Sequence, residues 1–365
     1  MRPLLKRLWR MARWVVYPLF YLFCLFVFGY LTFPFDALKR RIVAEFDRSQ
    51  QRGAQRRRSA PMRLEIGELE GYWLTGVEIA DAKLIVPPSS SPKKGALAML
   101  AKSDAAPAKA SVIAIDHATV RLQLLPLLLG NVRINFAAQA LGGELEGSIP
   151  YGDSGDVEVT VDALQLAQVE PLQAMLMGIP LSGSASGNLT LSPKLGKFSK
   201  ADGRLSLQLQ GVVLGQPGKN GKLEVMGTKL PSPQLGQITL AAVVSEGVLT
   251  LEDFSSRGRD AEFLGEGKVK LHDSWVRSQA DVFIKFRFSD VYRTSDPAVQ
   301  GLLGKPGDKF PPAIEVAPRS PFPKAKTDDG FYRFHIKGAL SRIKTDPAGT
   351  KAKPSLRGGR RGNTR

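Results

Sequence analysis

The residue types that do chemistry are few in this sequence and stand apart. His117, His272 and His335 are separated by 155 and 63 positions, and the single cysteine, Cys24, lies inside an apolar run. A Cys/His zinc site therefore cannot be assembled locally, and no intramolecular disulfide can form. A phosphate-binding loop needs G-x-x-x-x-G-K-[ST]. Gly221-Lys222 is followed by Leu223 and Gly267-Lys268 by Val269, and Gln216 and Glu262 stand where the first glycine belongs. A nucleophile elbow needs G-x-S-x-G, whereas Gly183-Ser184-Ala185-Ser186-Gly187 places Ala185 at the nucleophile position. No catalytic residue, metal ligand or cofactor site is assigned, and the expectation is a protein that is not an enzyme.

If the chain acts by contact, its charge distribution bears on the partner. Net charge is +17 over 365 residues. Residues 1–13 hold an excess of five basic residues, residues 39–58 of six and residues 344–365 of six, so the rest of the chain is neutral. A nucleic-acid binder carries its positive charge on a face of its fold. Here the charge flanks an apolar segment and fills a tail, which points to anionic lipid surfaces and topology signals. No nucleic-acid partner is expected.

Between the first two basic segments, Trp14 to Phe33 runs for 20 residues without a charged side chain. As a helix it spans ~30 Å, the thickness of the hydrocarbon core. Trp14, Tyr17, Phe20, Phe23, Phe26, Tyr30 and Phe33 are its aromatic anchor residues. A cleaved signal sequence has a shorter apolar core and a small-residue cleavage site, which Pro34-Phe35-Asp36-Ala37-Leu38 does not supply. The reading is a retained single-pass anchor with a cytoplasmic N-terminus. Residues 36–48 read as helical, with Leu38, Ile42, Val43 and Phe46 on one face. Two placements stay open for this helix, a continuation of the anchor or an interfacial helix on lipid headgroups.

Beyond residue 60 the period changes from helical to two. Val157, Val159 and Val161 alternate with polar residues, as do Leu205, Leu207 and Leu209. Val282, Ile284, Phe286 and Phe288 face one way, and Tyr332, Phe334 and Ile336 repeat the pattern. Each predicts a strand with one apolar face, as in an antiparallel sheet covered on one side. Glycine turns such as Gly142-Gly143 and Glu246-Gly247 suit hairpins. Short helices are expected at Pro171–Met177 and Pro297–Leu303. The fold class is mainly β: one N-terminal transmembrane helix, then an elongated, mostly antiparallel, twisted sheet with few short helices. The boundaries are 1–13 cytoplasmic basic segment, 14–33 transmembrane helix, 34–60 juxtamembrane helix or linker, 61–343 β-rich domain with a mobile insert at 87–110, and 344–365 disordered basic tail. The candidate apolar sheet face is Leu205, Leu207, Leu209, Val282, Ile284, Phe286 and Phe288, and two roles stay open for it, a closed core of the chain's own making or the lining of a groove for lipid.

Several segments together resemble a known family. They are Leu69–Val86 (LEGYWLTGVEIADAKLIV), the PLLLG turn at Pro126–Gly130, Gly142–Gly147, Pro180–Gly187, Phe254–Leu271 with Gly258-Arg259-Asp260, and Phe331–Leu340 (FYRFHIKGAL). With the basic-flanked anchor they look like the type II secretion system protein N (GspN) family, and more distantly the AsmA-like proteins of the bacterial envelope. The likeness covers roughly residues 10–343 and rests on turn and strand signatures. It departs at the end, where Gly338-Ala339-Leu340 is not followed at once by a proline-rich close. The resemblance implies a protein of the bacterial inner membrane with a periplasmic β domain. It implies an accessory role in type II protein secretion across the outer membrane, with other secretion components as partners. The AsmA-like likeness implies the alternative, a periplasmic module that binds or transports lipid between membranes.

Overall fold

A computed structural model describes residues 16–18, 20, 21, 23–25, 27–29, 32–57, 62–73, 75–86, 111–123, 132–151, 155–169, 181–215, 222–225, 228–274, 277–308, 310–318, 320–340 and 343–350. The expected insert at 87–110 and helix at Pro171–Met177 lie outside these residues.

The described residues between Val16 and Gly29 are helical, and Phe33 and Pro34 break the helix before α1 (Phe35–Arg57). No helix among the described residues is long and apolar enough to cross a membrane. Trp14, Phe26 and Tyr30 of the expected span are outside them. Tyr17, Phe20, Phe23 and Phe33 are all exposed to solvent. Helix α1 runs well past the expected 36–48 and lies against the edge of the sheet, on β1 (Arg63–Glu65) and β2 (Glu68–Tyr72). Its stripe of Leu38, Ile42, Val43 and Phe46 is half-buried.

Among the described residues, fifteen strands form one antiparallel sheet. Strands β3 (Gly76–Val86), β4 (Ser111–Leu122), β5 (Val132–Ala140), β6 (Gly143–Tyr151), β7 (Val157–Gln165), β8 (Leu181–Lys194) and β9 (Lys197–Leu214) follow each other as neighbours. The path then jumps to β12 (Gln234–Ser245) and continues through β13 (Val248–Arg257), β14 (Ala261–Lys270), β15 (Gln279–Phe288), β16 (Tyr332–Ala339) and β17 (Lys344–Pro347). Strands β10 (Lys222–Val225) and β11 (Thr228–Pro231) form a separate two-stranded ribbon. β1 and β2 lie end to end along β3.

Three hairpins close with two residues at positive φ: Leu141-Gly142, Leu195-Gly196 and Glu246-Gly247. Such turns match the right-handed twist of the flanking strands. The first is one residue earlier than the Gly142-Gly143 expected, because Gly143 already pairs with Ala140. Register shifts at Val161/Leu164, Ser182/Ser184 and Thr250/Ser255 bend the strands locally.

The tail expectation is corrected at its start. Lys344–Pro347 is strand β17, paired with β16, and Lys337 Nζ meets Asp346 Oδ2 at 2.8 Å. The Gly349 N–H donates to the Lys324 carbonyl at 2.9 Å, so the chain is tied down to residue 349. Proline ends this edge strand, where a missing N–H is tolerated.

The sheet has two unlike rims. One, the hairpin rim, holds the tight connections at 73–75, 195–196 and 246–247 and the short connection 271–278. The other, the capped rim, is crossed by the 3₁₀ turn Leu166–Gln168, the β10–β11 ribbon, and the connection from β15 to β16. That last connection folds into helices α2 (Asp290–Arg293), α3 (Pro297–Leu303), α4 (Ala313–Val316) and α5 (Phe322–Ala325). Ser289 Oγ accepts from the Tyr292 N–H at 3.2 Å, and Asp296 Oδ1 from the Ala298 N–H at 2.7 Å with Pro297 first in the helix. These are sequence-encoded helix starts.

Candidate functional site

Residues paired directly across an antiparallel sheet point to the same side. Pairing alone therefore traces one apolar face from strand to strand. Val159 of β7 pairs with Leu189, Leu189 with Leu205, and Leu205 with Ala242. Leu207 pairs with Leu240, which pairs with Phe254. Leu209 pairs with Ile238, Ile238 with Ser256 and Ser256 with Phe263, which meets Phe286 of β15. Ile284 pairs with Phe334, and Val282 with Ile336. All seven residues named from the sequence, Leu205, Leu207, Leu209, Val282, Ile284, Phe286 and Phe288, thus belong to this one face.

Glycines let aromatic rings lie flat on it. A Cβ at Gly265 would meet the Phe254 ring at 2.1 Å, and one at Gly147 the Phe136 ring at 2.5 Å. Any larger residue would lift these rings off the sheet.

Cover is uneven along the face. At the capped rim, Leu209, Phe254, Phe263 and Phe288 pack against a core of Leu166, Leu181, Val212, Leu235 and Ile238. At the C-terminal end, Phe286 and Phe288 pack against Tyr292, Val299, Leu302, Phe322, Tyr332 and Phe334. Phe286 stacks on Phe334 with centroids 6.0 Å apart, and Phe322 meets Tyr332 edge-on at 5.0 Å. Burial raises the hydroxyl pKa of both Tyr292 and Tyr332 far above the usual tyrosine value, with Glu315 adding to the effect at Tyr332. Tyr292 Oη donates to the Pro231 carbonyl and Tyr332 Oη to Glu315 Oε1, each at 2.7 Å.

The middle differs. Val157, Val159, Val161, Leu189, Leu205, Leu207, Leu240, Leu251, Val282 and Ile284 are only half-buried, and Ile149 is exposed. The only other sheet among the described residues is the β10–β11 ribbon, at the capped rim. Apolar residues of five neighbouring strands, β7, β8, β9, β12 and β13, therefore stand side by side and half-buried, a surface suited to an apolar chain or an apolar partner.

The opposite face is polar and closed by pairs. Arg287 Nη2 meets Glu262 at 2.7 Å, Arg333 meets Glu266 at 2.7 Å, and His335 meets Asp281 at 2.6 Å. The Arg333 guanidinium lies 4.2 Å from the Phe283 ring centre, and His335 stacks on the same ring at 4.2 Å. His117 meets Glu78 at 2.7 Å, and His272 Nδ1 accepts from the Ser274 N–H at 3.1 Å. The three histidines are thus apart in the fold, each with its own partner. No metal-holding group of His, Cys, Asp or Glu occurs among the described residues. A shallow polar hollow of about 430 Å³ lies over β4–β7, lined by Arg121, Asn135, Glu146, Ser148 and Glu158.

The sequence reading left open whether the apolar face is core or groove; at the C-terminal end it is core, and the expected helix Pro297–Leu303 is part of its cover. The signal was present in Ser289, Asp296 and Pro297 as helix starts. Comparison with protein-family models, curated proteins and solved structures gives no match to this chain.

Proposed function

We propose that this chain is a non-catalytic accessory component of a type II secretion apparatus, anchored in the bacterial inner membrane and acting by contact. The support for the system is the resemblance to the GspN family; of its segments, Leu69–Val86, Gly142–Gly147, Phe254–Leu271 and Phe331–Leu340 lie on strands and turns of the sheet, and Pro126–Gly130 lies outside the described residues. The observation that carries action by contact is the apolar face, which runs across the sheet with Ser256 as a buried polar member and is half-buried in its middle. Fusing a compartment-specific reporter after residue 60 tests the topology: activity is expected outside the cytoplasm only, and cytoplasmic activity sinks the reading. Deleting the gene and measuring export of secreted enzymes tests the role, and unchanged export sinks it.

The half-buried middle favours a second reading, an AsmA-like module that shields acyl chains. Mass spectrometry of the full chain extracted in mild detergent is expected to find co-purified lipid. Leu207→Asp, in the middle of the face, is expected to strip it. Equal lipid in both proteins would refute lipid binding on this face and leave the secretion reading standing.

A further inference from the structure

The hairpin rim carries residues that a bare turn in water would not choose. Trp73 and Leu195 sit at the tips of the β2–β3 and β8–β9 hairpins with φ of 50° and 55°. The left-handed conformation disfavours any residue with a Cβ, and Gly or Asn is the usual occupant. Both side chains are also among the most solvent-exposed large apolar residues of the sheet, at 70 % and 69 %. Phe198 is exposed beside Leu195. Two unfavourable choices at each of two tips point to a surface that rewards them.

The charge around these tips indicates which surface. The rim around the β8–β9 tip holds Lys194, Lys197, Lys200, Lys270 and Arg277; Asp202, 2.6 Å from Lys194, together with Glu246 and Asp273 offsets three of these, leaving an excess of positive charge. Large apolar residues beside lysines suit the boundary between anionic headgroups and acyl chains.

Helix α1 gives the direction. Lys39 Nζ donates to the Gly67 carbonyl, midway along the β1–β2 edge. From Lys39 to Arg57 the helix rises ~27 Å. Arg57 must then reach Arg63, the start of β1, within ~20 Å of chain. A helix pointing toward the hairpin rim would leave Arg57 ~40 Å from Arg63. α1 therefore runs toward the capped rim, and its first residues point toward the hairpin rim.

We propose that the hairpin rim is seated on an anionic lipid bilayer, with Trp73 and Leu195 inserted at the headgroup level. The sheet then stands on the membrane with its capped rim outward. This inference rests on the membrane-anchored reading above.

The test uses the full chain with Cys24→Ser, so that an introduced thiol is the only one. An environment-sensitive fluorophore is attached at Leu195→Cys, at Glu246→Cys on the same rim, or at Arg259→Cys on the capped rim. Glu246→Cys leaves both apolar tips in place. The proteins are reconstituted in phosphatidylethanolamine vesicles containing about one quarter phosphatidylglycerol. Quenching by spin-labelled lipid is expected to be at least about twofold greater at 195 and 246 than at 259. Equal quenching at all three positions overturns the proposal. Protection from aqueous iodide without lipid quenching overturns it as well, because a protein surface would then cover the rim. Flotation separates the two readings. A chain that floats with the vesicles while its rim labels report water keeps its anchor and loses the seat. A chain that does not float loses both.

Discussion

The C-terminal end of the sheet and its middle are built from the same kind of strand. Val282–Phe288 in β15 and Leu205–Leu209 in β9 both alternate apolar with polar, and both place the apolar set on one face. At the C-terminal end the part of that face next to the capped rim is covered, with Phe334 3 % exposed and Phe322 2 %, whereas Val282 and Ile284 farther along β15 stay half-buried. In the middle, Leu205 and Leu207 are half-buried. The strands do not decide the outcome; the connections do. The chain between β15 and β16 is long enough to fold four short helices back over the aromatic residues. β8 and β9 are joined at Leu195-Gly196, which can cover nothing. An apolar face becomes core only where a connection is long enough to return across it.

The largest expected effect lies at the covered end. Phe334→Ala removes a ring that touches Phe286 and Phe322, and should cost about 3–5 kcal/mol. Urea unfolding of the detergent-solubilised chain checks it. A loss under about 1 kcal/mol would mean the helices do not pack as described.

Leu207→Asp probes the open middle and should cost less, roughly 1–3 kcal/mol, because water already reaches the site. Ser206→Asp, on the polar face, should stay within about 0.5 kcal/mol. Matched unfolding curves test both, and an exchange of the two values would mean the strand is slipped by one residue.

Truncation sharpens the comparison at the edge. A chain ending at residue 350 should melt as the full chain does. One ending at 343 loses β17 and the Lys337–Asp346 pair, and should unfold at lower temperature. Equal melting of the two truncated forms would show that β17 contributes nothing.

The smallest effect at neutral pH is an alkaline one. Tyr292 and Tyr332 hold their protons more tightly folded than unfolded, because burial disfavours the phenolate. Their contribution is complete below the unfolded value near 10 and falls as pH rises above it. Stability should decline by at most about 1.4 kcal/mol per pH unit for each tyrosine. Melting curves from pH 9 upward check this against Tyr292→Phe, whose decline should be shallower. An unchanged slope would place Tyr292 in contact with water.

Alternation made most strands legible, since a two-residue apolar period has one structural meaning when turns bound it. It also identified the apolar face, because direct pairing keeps like residues together. What alternation could not carry was β17, whose Lys344-Thr345-Asp346-Pro347 has no apolar residue but proline. Its pairing comes from backbone hydrogen bonds and a cross-strand ion pair with Lys337, both supplied by β16. The extent of cover was also illegible. It depends on where 289–331 folds back, and that is a tertiary fact. The two helix starts at Ser289 and Asp296 were readable, but not the surface on which those helices would lie.

The order of strands in the sheet follows the order in the chain, with one step over the β10–β11 ribbon. Each strand therefore finds its partner among residues made just before or just after it, and loop closure costs little. A polypeptide that emerges in N-to-C order could add one hairpin at a time to a growing edge, without waiting for distant segments to arrive. Protease protection of translocation-stalled chains should then rise stepwise with length. The last strand to arrive, β17, is short and ends in proline, and so leaves a poor template for any further strand.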